Sequence, residues 1–181
     1  MILFDLPVYQ FIISIFGLAP AMISIMKLIT TLGSTIVIIA GILSVAIICW
    51  KNKNIFLTFL SANLIGVILN NLIKIIVRRP RPTQTLVMTA EKSYSFPSGH
   101  SMMSMIFYGL IIYYVMKYMK NKKLKNIVIP FLSAIIFFIG ISRIYLGVHY
   151  ATDVLSGWII GLVYLVIFIK VLNRISTKKS K

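Results

Sequence analysis

The chain contains two histidines, and each stands beside other side chains that could take part in acid–base or nucleophilic chemistry. His149 precedes Asp153 by four positions, so a helix that begins near Tyr150 would bring their side chains together on one face. A carboxylate in that position holds one imidazole nitrogen and leaves the other nitrogen free to react. A structural histidine at a helix end would show the same spacing, so the pair alone leaves both roles open.

The other histidine ends a short motif, Pro97-Ser98-Gly99-His100, that directly precedes an apolar run. Ser98 is a suitable helix N-cap, and Gly99 lets an anion approach the backbone N–H groups at the helix N-terminus. His100 would then lie in the first helical turn, beside whatever that site binds. An ordinary helix cap explains the serine and the glycine equally well, but it leaves the histidine unexplained.

A third group of residues is cationic. Lys74 and Arg81 lie in a stretch that ends with two prolines, Pro80 and Pro82, which stop a helix and fix an extended backbone. Such a pair can bind phosphate oxygens, the arginine through a two-pronged donor and the lysine as a point charge. Snorkelling to lipid headgroups is the alternative explanation. We assign the intervening Arg78 and Arg79 to headgroup attraction.

The composition is that of an integral membrane protein. Hydrophobic residues make up 59% of the 181 residues, 12% are charged, and the mean hydropathy is +0.96. Soluble domains carry about 25% charged residues. The net charge of +16 indicates anionic partners, either lipid headgroups or phosphate substrates. The cations cluster between apolar runs instead of forming one basic face, which argues against nucleic acid.

Five apolar runs are predicted to form transmembrane helices. They cover 28–50, 55–73, 101–116, 127–141 and 151–169. Residues 1–26 are apolar but interrupted by proline and glycine, and we expect a short, broken helical segment that lies in the interface or is partly inserted. The prediction is an all-α transmembrane bundle with one domain over 27–173, followed by a basic tail at 174–181.

The distribution of charge predicts the orientation. Most of the 19 lysines and arginines fall at 51–53, at 117–125 and from 170 onward, which five spans would place on one side. By the positive-inside rule that side is cytoplasmic. The long polar loop at 74–100 and the stretch that contains His149 then face outward. Arg143 is among the cations that oppose the rule there, which indicates a chemical role.

Taken together, the motifs resemble the three-part signature of the type 2 phosphatidic acid phosphatase superfamily, which contains membrane lipid phosphatases and shares its motif with vanadium-dependent haloperoxidases. In chain order the motifs are Lys74-x6-Arg81-Pro82, Pro97-Ser98-Gly99-His100 and Ser142-Arg143-x5-His149-x3-Asp153. No motif position is missing. Bacterial members typically have six spans, so the interrupted segment at 1–26 departs from the family pattern.

The resemblance implies a metal-independent phosphatase without a cofactor. His149 would form a phosphohistidine, Asp153 would hold its ring, and His100 would protonate the leaving oxygen and then activate water. Five further residues would bind the phosphate oxygens: Lys74, Arg81, Ser98, Gly99 and Arg143. The implied partners are a lipid phosphate substrate and the bilayer, with no nucleic acid and no obligatory protein partner.

The resemblance and an outward-facing site favour a lipid whose headgroup reaches the outer leaflet while its tail lies between helices. Undecaprenyl diphosphate, cleaved to the monophosphate, is our first choice of substrate, followed by phosphatidylglycerophosphate or phosphatidic acid. Two alternatives come from other classes: a phosphatase for soluble esters, and a non-catalytic membrane protein that binds anionic lipid. The resemblance does not separate the lipid substrates, because tail selectivity depends on the shape of the groove.

Overall fold

The computed structural model describes residues 4–83 and 93–178, and in that part of the chain every regular element is an α-helix. The helices are α1 (Asp5–Phe16), α2 (Pro20–Thr31), α3 (Thr35–Ile48), α4 (Lys53–Val77), α5 (Gly99–Tyr118), α6 (Lys122–Tyr145) and α7 (Ala151–Lys178). Helices α4 to α7 are each long and apolar enough to cross a membrane. If α1 and α2 are taken as one broken span, there are five such candidates. The predicted all-α, polytopic bundle is confirmed.

Helix α5 is the centre of the bundle and packs against α4, α6 and α7. Its Met102 and Ile106 side chains are fully buried. Glycine brings α7 close to α5, since a β-carbon at Gly157 would lie 2.8 Å from the carbonyl oxygen of Ser98. Small residues at such contacts let membrane helices approach closely enough to gain packing energy. This contact holds the start of α5 against the start of α7, where two of the three motifs lie.

The first predicted span, 28–50, is wrong in extent. Residues 28–31 belong to α2, and α3 covers only Thr35–Ile48, which is about 21 Å at 1.5 Å per residue. That length is shorter than a hydrocarbon core of roughly 30 Å. The Ser34 hydroxyl accepts a hydrogen bond from the Val37 N–H at 3.4 Å and so caps a new helix. Hydropathy does not register this break because the turn residues carry no charge.

The other four predicted spans lie inside longer helices. Residues 55–73 belong to α4, 101–116 to α5, 127–141 to α6 and 151–169 to α7. The first part of the predicted basic tail, up to Lys178, continues α7 as a helix. The chain therefore stays helical for several residues beyond the apolar runs at both ends of the bundle.

Helices α1 and α2 form a pair bent by 116°, and the outer ends of both helices lie at the motif end of the bundle. The Asp5 carboxylate, at the start of α1, accepts a hydrogen bond from the Thr152 N–H at 2.9 Å. The Thr30 hydroxyl, near the end of α2, accepts one from Arg143 Nη1 at 3.0 Å. The interrupted N-terminal segment predicted from the sequence is thus a hairpin that covers this end of the bundle.

The opposite end of the bundle carries the lysine-rich turns. One cavity there is lined by residues from three separate regions, including Asn52, Lys117 and Asn173. Lys125 Nζ, in the first turn of α6, donates a hydrogen bond to the Met116 carbonyl oxygen at 3.0 Å. The three cation-rich regions therefore lie together, as the sequence predicted.

Candidate active site

His149 lies in the loop between α6 and α7, and Asp153 lies in the first turn of α7. Both are buried, with exposed fractions of 3% and 0%. His149 Nδ1 is 3.5 Å from Asp153 Oδ2. The predicted pairing is present, although His149 precedes the helix instead of lying on it. Because an ionised carboxylate only accepts hydrogen bonds, Nδ1 carries the ring proton and Nε2 carries the lone pair.

Three further donors fix the Asp153 carboxylate. Its Oδ2 atom accepts hydrogen bonds from the Ser95 hydroxyl at 2.5 Å and from the Tyr150 N–H at 3.0 Å. Its Oδ1 atom accepts one from Arg79 Nη1 at 2.6 Å. The Tyr150 contact is a helix cap, because the third residue of α7 reaches back to the N–H of the residue before the helix. One carboxylate oxygen is thereby held toward His149.

His149 is neutral at physiological pH. Burial lowers the pKa of its imidazole to about 4; the hydrogen bond with Asp153 opposes that shift, and the Arg143 and Arg81 guanidinium groups reinforce it. A nucleophilic imidazole must have a free lone pair, which only the neutral ring has. The environment therefore keeps the His149 ring neutral, which is the form that a nucleophile requires.

The two cations of the first motif hold the returning part of the long loop beside His149. Arg81 Nη1 is 3.4 Å from His149 Nε2. The same guanidinium donates hydrogen bonds to the carbonyl oxygen of Ser93 at 2.8 Å and to its hydroxyl at 3.0 Å. Lys74 Nζ donates to the Tyr94 carbonyl oxygen at 2.5 Å. Arg81 thus lies at the side of the ring that bears the lone pair, and Lys74 lines the same cavity.

The second motif forms the N-terminus of α5, which begins at Gly99. Ser98 is the N-cap, as predicted, and its hydroxyl accepts a hydrogen bond from the Ser101 N–H at 3.4 Å. The backbone N–H of Ser98 donates to the Asp153 carbonyl oxygen at 3.0 Å. This bond ties the second motif to the third. It also directs the positive end of the α5 dipole toward the site.

Arg143 lies in the last turn of α6 and is 4% exposed. Its carbonyl oxygen accepts hydrogen bonds from the Val148 N–H at 3.2 Å and the His149 N–H at 3.3 Å. Its guanidinium lies close enough to the imidazole to lower the pKa of His149. Arg143 therefore supports the loop that presents His149 and adds positive charge beside it.

A cavity of about 510 Å³ joins most of the predicted site residues. Five of the eight line it: Lys74, Arg81, Gly99, His100 and His149. The other three, Ser98, Arg143 and Asp153, are buried and make the backbone, side-chain and charge contacts described above. Cations around two histidines suit a phosphate group, whose equatorial oxygens need charge stabilisation during transfer. Within 4–83 and 93–178, no three His, Cys, Asp or Glu side chains form a group able to hold a metal ion.

The N-terminal region, which comprises helices α1 to α3 and the turns between them, provides one wall of this cavity. A β-carbon at Gly33 would lie 3.3 Å from His100 Cδ2, so the glycine backbone packs against that ring. From the histidines the cavity continues along apolar residues of α3 and α4, including Ile38 and Leu64. The three asparagines of α4, for which the sequence indicated helix contacts or a pocket lining, also line it: Asn63, Asn70 and Asn71.

Sequence reasoning missed three residues of the site: Arg79, Ser95 and Asp5. The headgroup role predicted for Arg79 is wrong, because its side chain is 16% exposed and donates to Asp5 at 2.8 Å and Asp153 at 2.6 Å. Its neighbour Arg78 is exposed and ends α4 in the left-handed conformation, with φ 51°. That turn sends two adjacent arginines into different environments. The sequence did contain one signal for this cluster, which is the scarcity of acidic residues. The chain has three of them, and two bind Arg79.

Curated proteins with similar sequences are phosphatases by name. Phosphatidylglycerophosphatase B of Bacillus subtilis (strain 168) is 40% identical over 99 residues, which are 52% of this chain and 47% of that protein. Lipid phosphate phosphatase delta of Arabidopsis thaliana is 29% identical over 118 residues, which are 59% of this chain and 28% of that protein. The chain spans about half or less of the length of these relatives.

Two solved structures share the fold, and a family model matches the motifs. The transmembrane PAP2 type phosphatidylglycerolphosphate phosphatase from Bacillus subtilis has a TM-score of 0.84 and 29% identity, over 94% of this chain and 85% of that one. LpxE of Aquifex aeolicus has a TM-score of 0.69 and 24% identity, over 92% of this chain and 94% of that one. This likeness concerns the fold alone. The model of the PAP2 superfamily matches residues 55–176, well over half of the chain and all three motifs. The chain therefore belongs to the PAP2 superfamily, as its motifs predicted.

Proposed function

We propose that this membrane protein is a lipid phosphatase that removes the terminal phosphate of phosphatidylglycerophosphate. The observation that carries the proposal is the setting of His149, with Nδ1 beside Asp153 and Nε2 beside Arg81 at the cavity. Undecaprenyl diphosphate, the first choice from the sequence, takes second place. The reason is that a similar sequence and a similar structure are both named as phosphatases for phosphatidylglycerophosphate.

In the first step, His149 Nε2 attacks phosphorus. An N–P bond forms while the bond between phosphorus and the glycerol oxygen breaks, and His100 gives a proton to the departing oxygen. Asp153 stabilises the positive charge that develops on the attacking ring. Five groups stabilise the equatorial oxygens: the side chains of Lys74, Arg81, Ser98 and Arg143, and the N–H of Gly99. Phosphatidylglycerol leaves.

In the second step, water replaces the departed alcohol. His100, now neutral, takes a proton from this water, and the water oxygen attacks phosphorus. The N–P bond breaks, inorganic phosphate is released, and both histidines return to their starting protonation. One water molecule is consumed for each ester hydrolysed, and no cofactor enters the balance.

The groove between α3 and α4 suits the rest of the lipid. Its apolar side chains, such as Ile42 and Leu64, provide a surface for an acyl chain. Asn70 and Asn71 lie within about a helical turn of Lys74, where the polar glycerol part of the headgroup would lie. The tail then reaches the site laterally, from between the helices.

The proposed orientation rests on the positions of the cations. With the lysine-rich end of the bundle in the cytoplasm, the cavity that holds His149 faces outward and the end of α7 faces the cytoplasm. The substrate then reaches the site from the outer leaflet. No obligatory protein partner enters this arrangement.

The proposal is tested by phosphate release from purified, detergent-solubilised protein in excess EDTA. Four substrates are compared: phosphatidylglycerophosphate, undecaprenyl diphosphate, phosphatidic acid and a short soluble ester. We expect turnover under chelation, with kcat/KM for phosphatidylglycerophosphate at least about tenfold above that for the others, as discrimination by pocket contacts allows.

Each other outcome identifies a different error. A higher kcat/KM for undecaprenyl diphosphate would mean that the substrate is wrong while the chemistry stands. Equal saturation by the soluble ester would indicate a phosphatase that does not use the groove. Loss of turnover in EDTA would exclude the metal-free mechanism. No release from folded protein would favour a non-catalytic protein that binds anionic lipid.

A further inference from the structure

We propose that Asp5, in the N-terminal helix, is a positioning residue for the reaction: through Arg79 it sets the orientation and the charge of the Asp153 carboxylate that holds the nucleophile. This inference rests on the proposed function and extends the site beyond the three motifs. It assigns a role to the region outside 55–176, the part of the chain that the family model matches.

The contacts form an unbroken path from α1 to the reacting ring. Asp5 Oδ2 binds Arg79 Nη2 at 2.8 Å, and Arg79 Nη1 binds Asp153 Oδ1 at 2.6 Å. Asp153 Oδ2 then lies 3.5 Å from His149 Nδ1. Both aspartates are buried, with exposed fractions of 2% and 0%. The Tyr150 ring lies 4.0 Å from the guanidinium carbon and fixes the plane of the fork.

Asp5 is also anchored to the helix that carries Asp153. Its Oδ1 atom accepts hydrogen bonds from the N–H and the hydroxyl of Thr152, both at 2.9 Å. The Thr152 hydroxyl lies 2.7 Å from Arg79 Nη1. The carboxylate therefore holds both the guanidinium and the first turn of α7, so it fixes the position of Arg79 relative to Asp153.

The balance of charge explains why a second carboxylate is needed. Arg79 alone would neutralise Asp153 and weaken its ability to stabilise a positive imidazole. With Asp5 present, two carboxylates share one guanidinium, and a net negative charge is left for the ring when it becomes a phosphohistidine. In a buried site such a charge is weakly screened, so its loss acts on the ring even though Asp5 does not line the large cavity.

The test uses three variants of the full chain: Asp5→Asn, Arg79→Met and the double variant. Asp5→Asn keeps an oxygen for the Thr152 N–H but loses the charge, and we expect kcat to fall about tenfold with KM unchanged. Arg79→Met leaves two buried carboxylates close together, and we expect kcat to fall about 100-fold. Asp5→Asn should partly rescue Arg79→Met, because it removes that repulsion.

The direction in which kcat changes when Asp5→Asn is added to Arg79→Met separates a positioning role of Asp5 from a packing role. If Asp5 only anchors α1, the two losses will multiply, to about 1,000-fold, and the proposal fails. The matched control is Arg78→Asn, which removes the adjacent, exposed arginine and suits a left-handed residue. We expect it to keep kcat within twofold, and a loss equal to that of Arg79→Met would also overturn the proposal.

A readout independent of turnover distinguishes this inference from the proposed function. Histidine labelled with ¹⁵N reports the protonation of His149, which Arg81, Arg143 and Asp153 also influence in every variant. We expect Asp5→Asn to lower the pKa of His149 further and Arg79→Met to raise it. These shifts would stand even if the substrate were misassigned. An unchanged titration in both folded variants would overturn the positioning role.

Discussion

Helices α4 to α7 and helices α1 to α3 contribute to the site in different ways. The α4–α7 bundle carries all three motifs and every group that we place at phosphorus. The N-terminal region carries no motif, yet Asp5 binds Arg79 and the Gly33 backbone packs against the His100 ring. The bundle thus supplies the reacting groups, while the N-terminal region sets their positions. Substitutions in the two regions should differ in the size of their effects and in the kinetic constant that they change.

The largest effect is expected from His149→Ala in the bundle. Because the alanine side chain has no nucleophile, we expect kcat to fall by at least about 1,000-fold. Brief reaction with ³²P-labelled substrate should trap a phosphorylated protein in the wild type and none in the variant. Inorganic phosphate should still bind to the variant, since the cations around the cavity are retained.

Asp153→Asn is the comparison variant for this loss. It keeps the shape of the side chain but removes the charge, and we expect a residual rate about 100-fold below that of the wild type. Full activity or wild-type phosphorylation in His149→Ala would refute the nucleophile assignment. Equal losses in the two variants would mean that the carboxylate is as indispensable as the ring.

A smaller effect is expected from Gly33→Ala in the N-terminal region. The added β-carbon would lie 2.7 Å from Ile139 Cγ2 and 3.3 Å from His100 Cδ2, so we expect the acid–base ring to shift and kcat to fall about tenfold. KM should change little, because the atoms nearest to the added carbon belong to Ile139 and His100 and not to the phosphate-binding side chains. Steady-state kinetics on one lipid substrate separate the two constants.

Gly109→Ala provides the matched control. Its β-carbon would lie 2.6 Å from Leu165 Cδ2, a similar clash with an aliphatic side chain but away from both histidines. We expect kcat within twofold of the wild type. If the two alanine variants lose activity equally, the loss comes from packing, and Gly33 has no particular role beside His100.

The smallest effect is expected from pH. With the pKa of His149 lowered to about 4, the protonated fraction of its ring should reach only about 9% when the pH falls from 7 to 5. ¹⁵N spectra of histidine-labelled protein, with His149→Ala to assign the signal, measure this fraction. A ring that is half protonated near pH 6.5 would contradict the burial argument.

The same shift has a consequence for stability. The folded protein has the lower pKa, so the unfolded chain gains the proton first as the pH falls. Stability should therefore decrease between about pH 6.5 and pH 4, by at most about 1.4 kcal/mol per pH unit from this residue. Above pH 6.5 the contribution is complete. The contribution of His149 is measured by the way in which the difference in unfolding free energy between the wild type and His149→Ala changes with pH.

The sequence predicted the local geometry around the two histidines well because the residue types there are scarce and their spacing is short. Ser98 is the predicted cap, His149 and Asp153 form the predicted pair, and the cavity joins Lys74 with Arg81. These features depend on local geometry or on residues that helix ends bring together. Hydropathy likewise predicted the four long helices, since uncharged runs of sufficient length are strong signals.

The sequence did not predict contacts that depend on tertiary structure. Asp5 and Asp153 each lie 74 positions from Arg79, and no local pattern links the three. The break before α3 was missed because Gly33 and Ser34 interrupt a helix without interrupting an apolar run. One of these features is a capped turn and the other is a pair of long-range ion pairs. Both depend on geometry, so neither changes the hydropathy summed over a stretch of sequence.

The bent α1–α2 pair also bears on how membrane topology is counted. Because Asp5 and Thr30 both contact the motif end of the bundle, the two outer ends of the pair lie at the same end, and the pair adds no net crossing. A hydropathy count that scores it as one crossing would place Asp5 on the lysine-rich side. Whether the number of crossings is odd or even, and not the number of apolar segments, therefore decides on which side of the membrane each end of the chain lies. A relative without this pair would keep its histidines on the same side but would lack the carboxylate that binds Arg79.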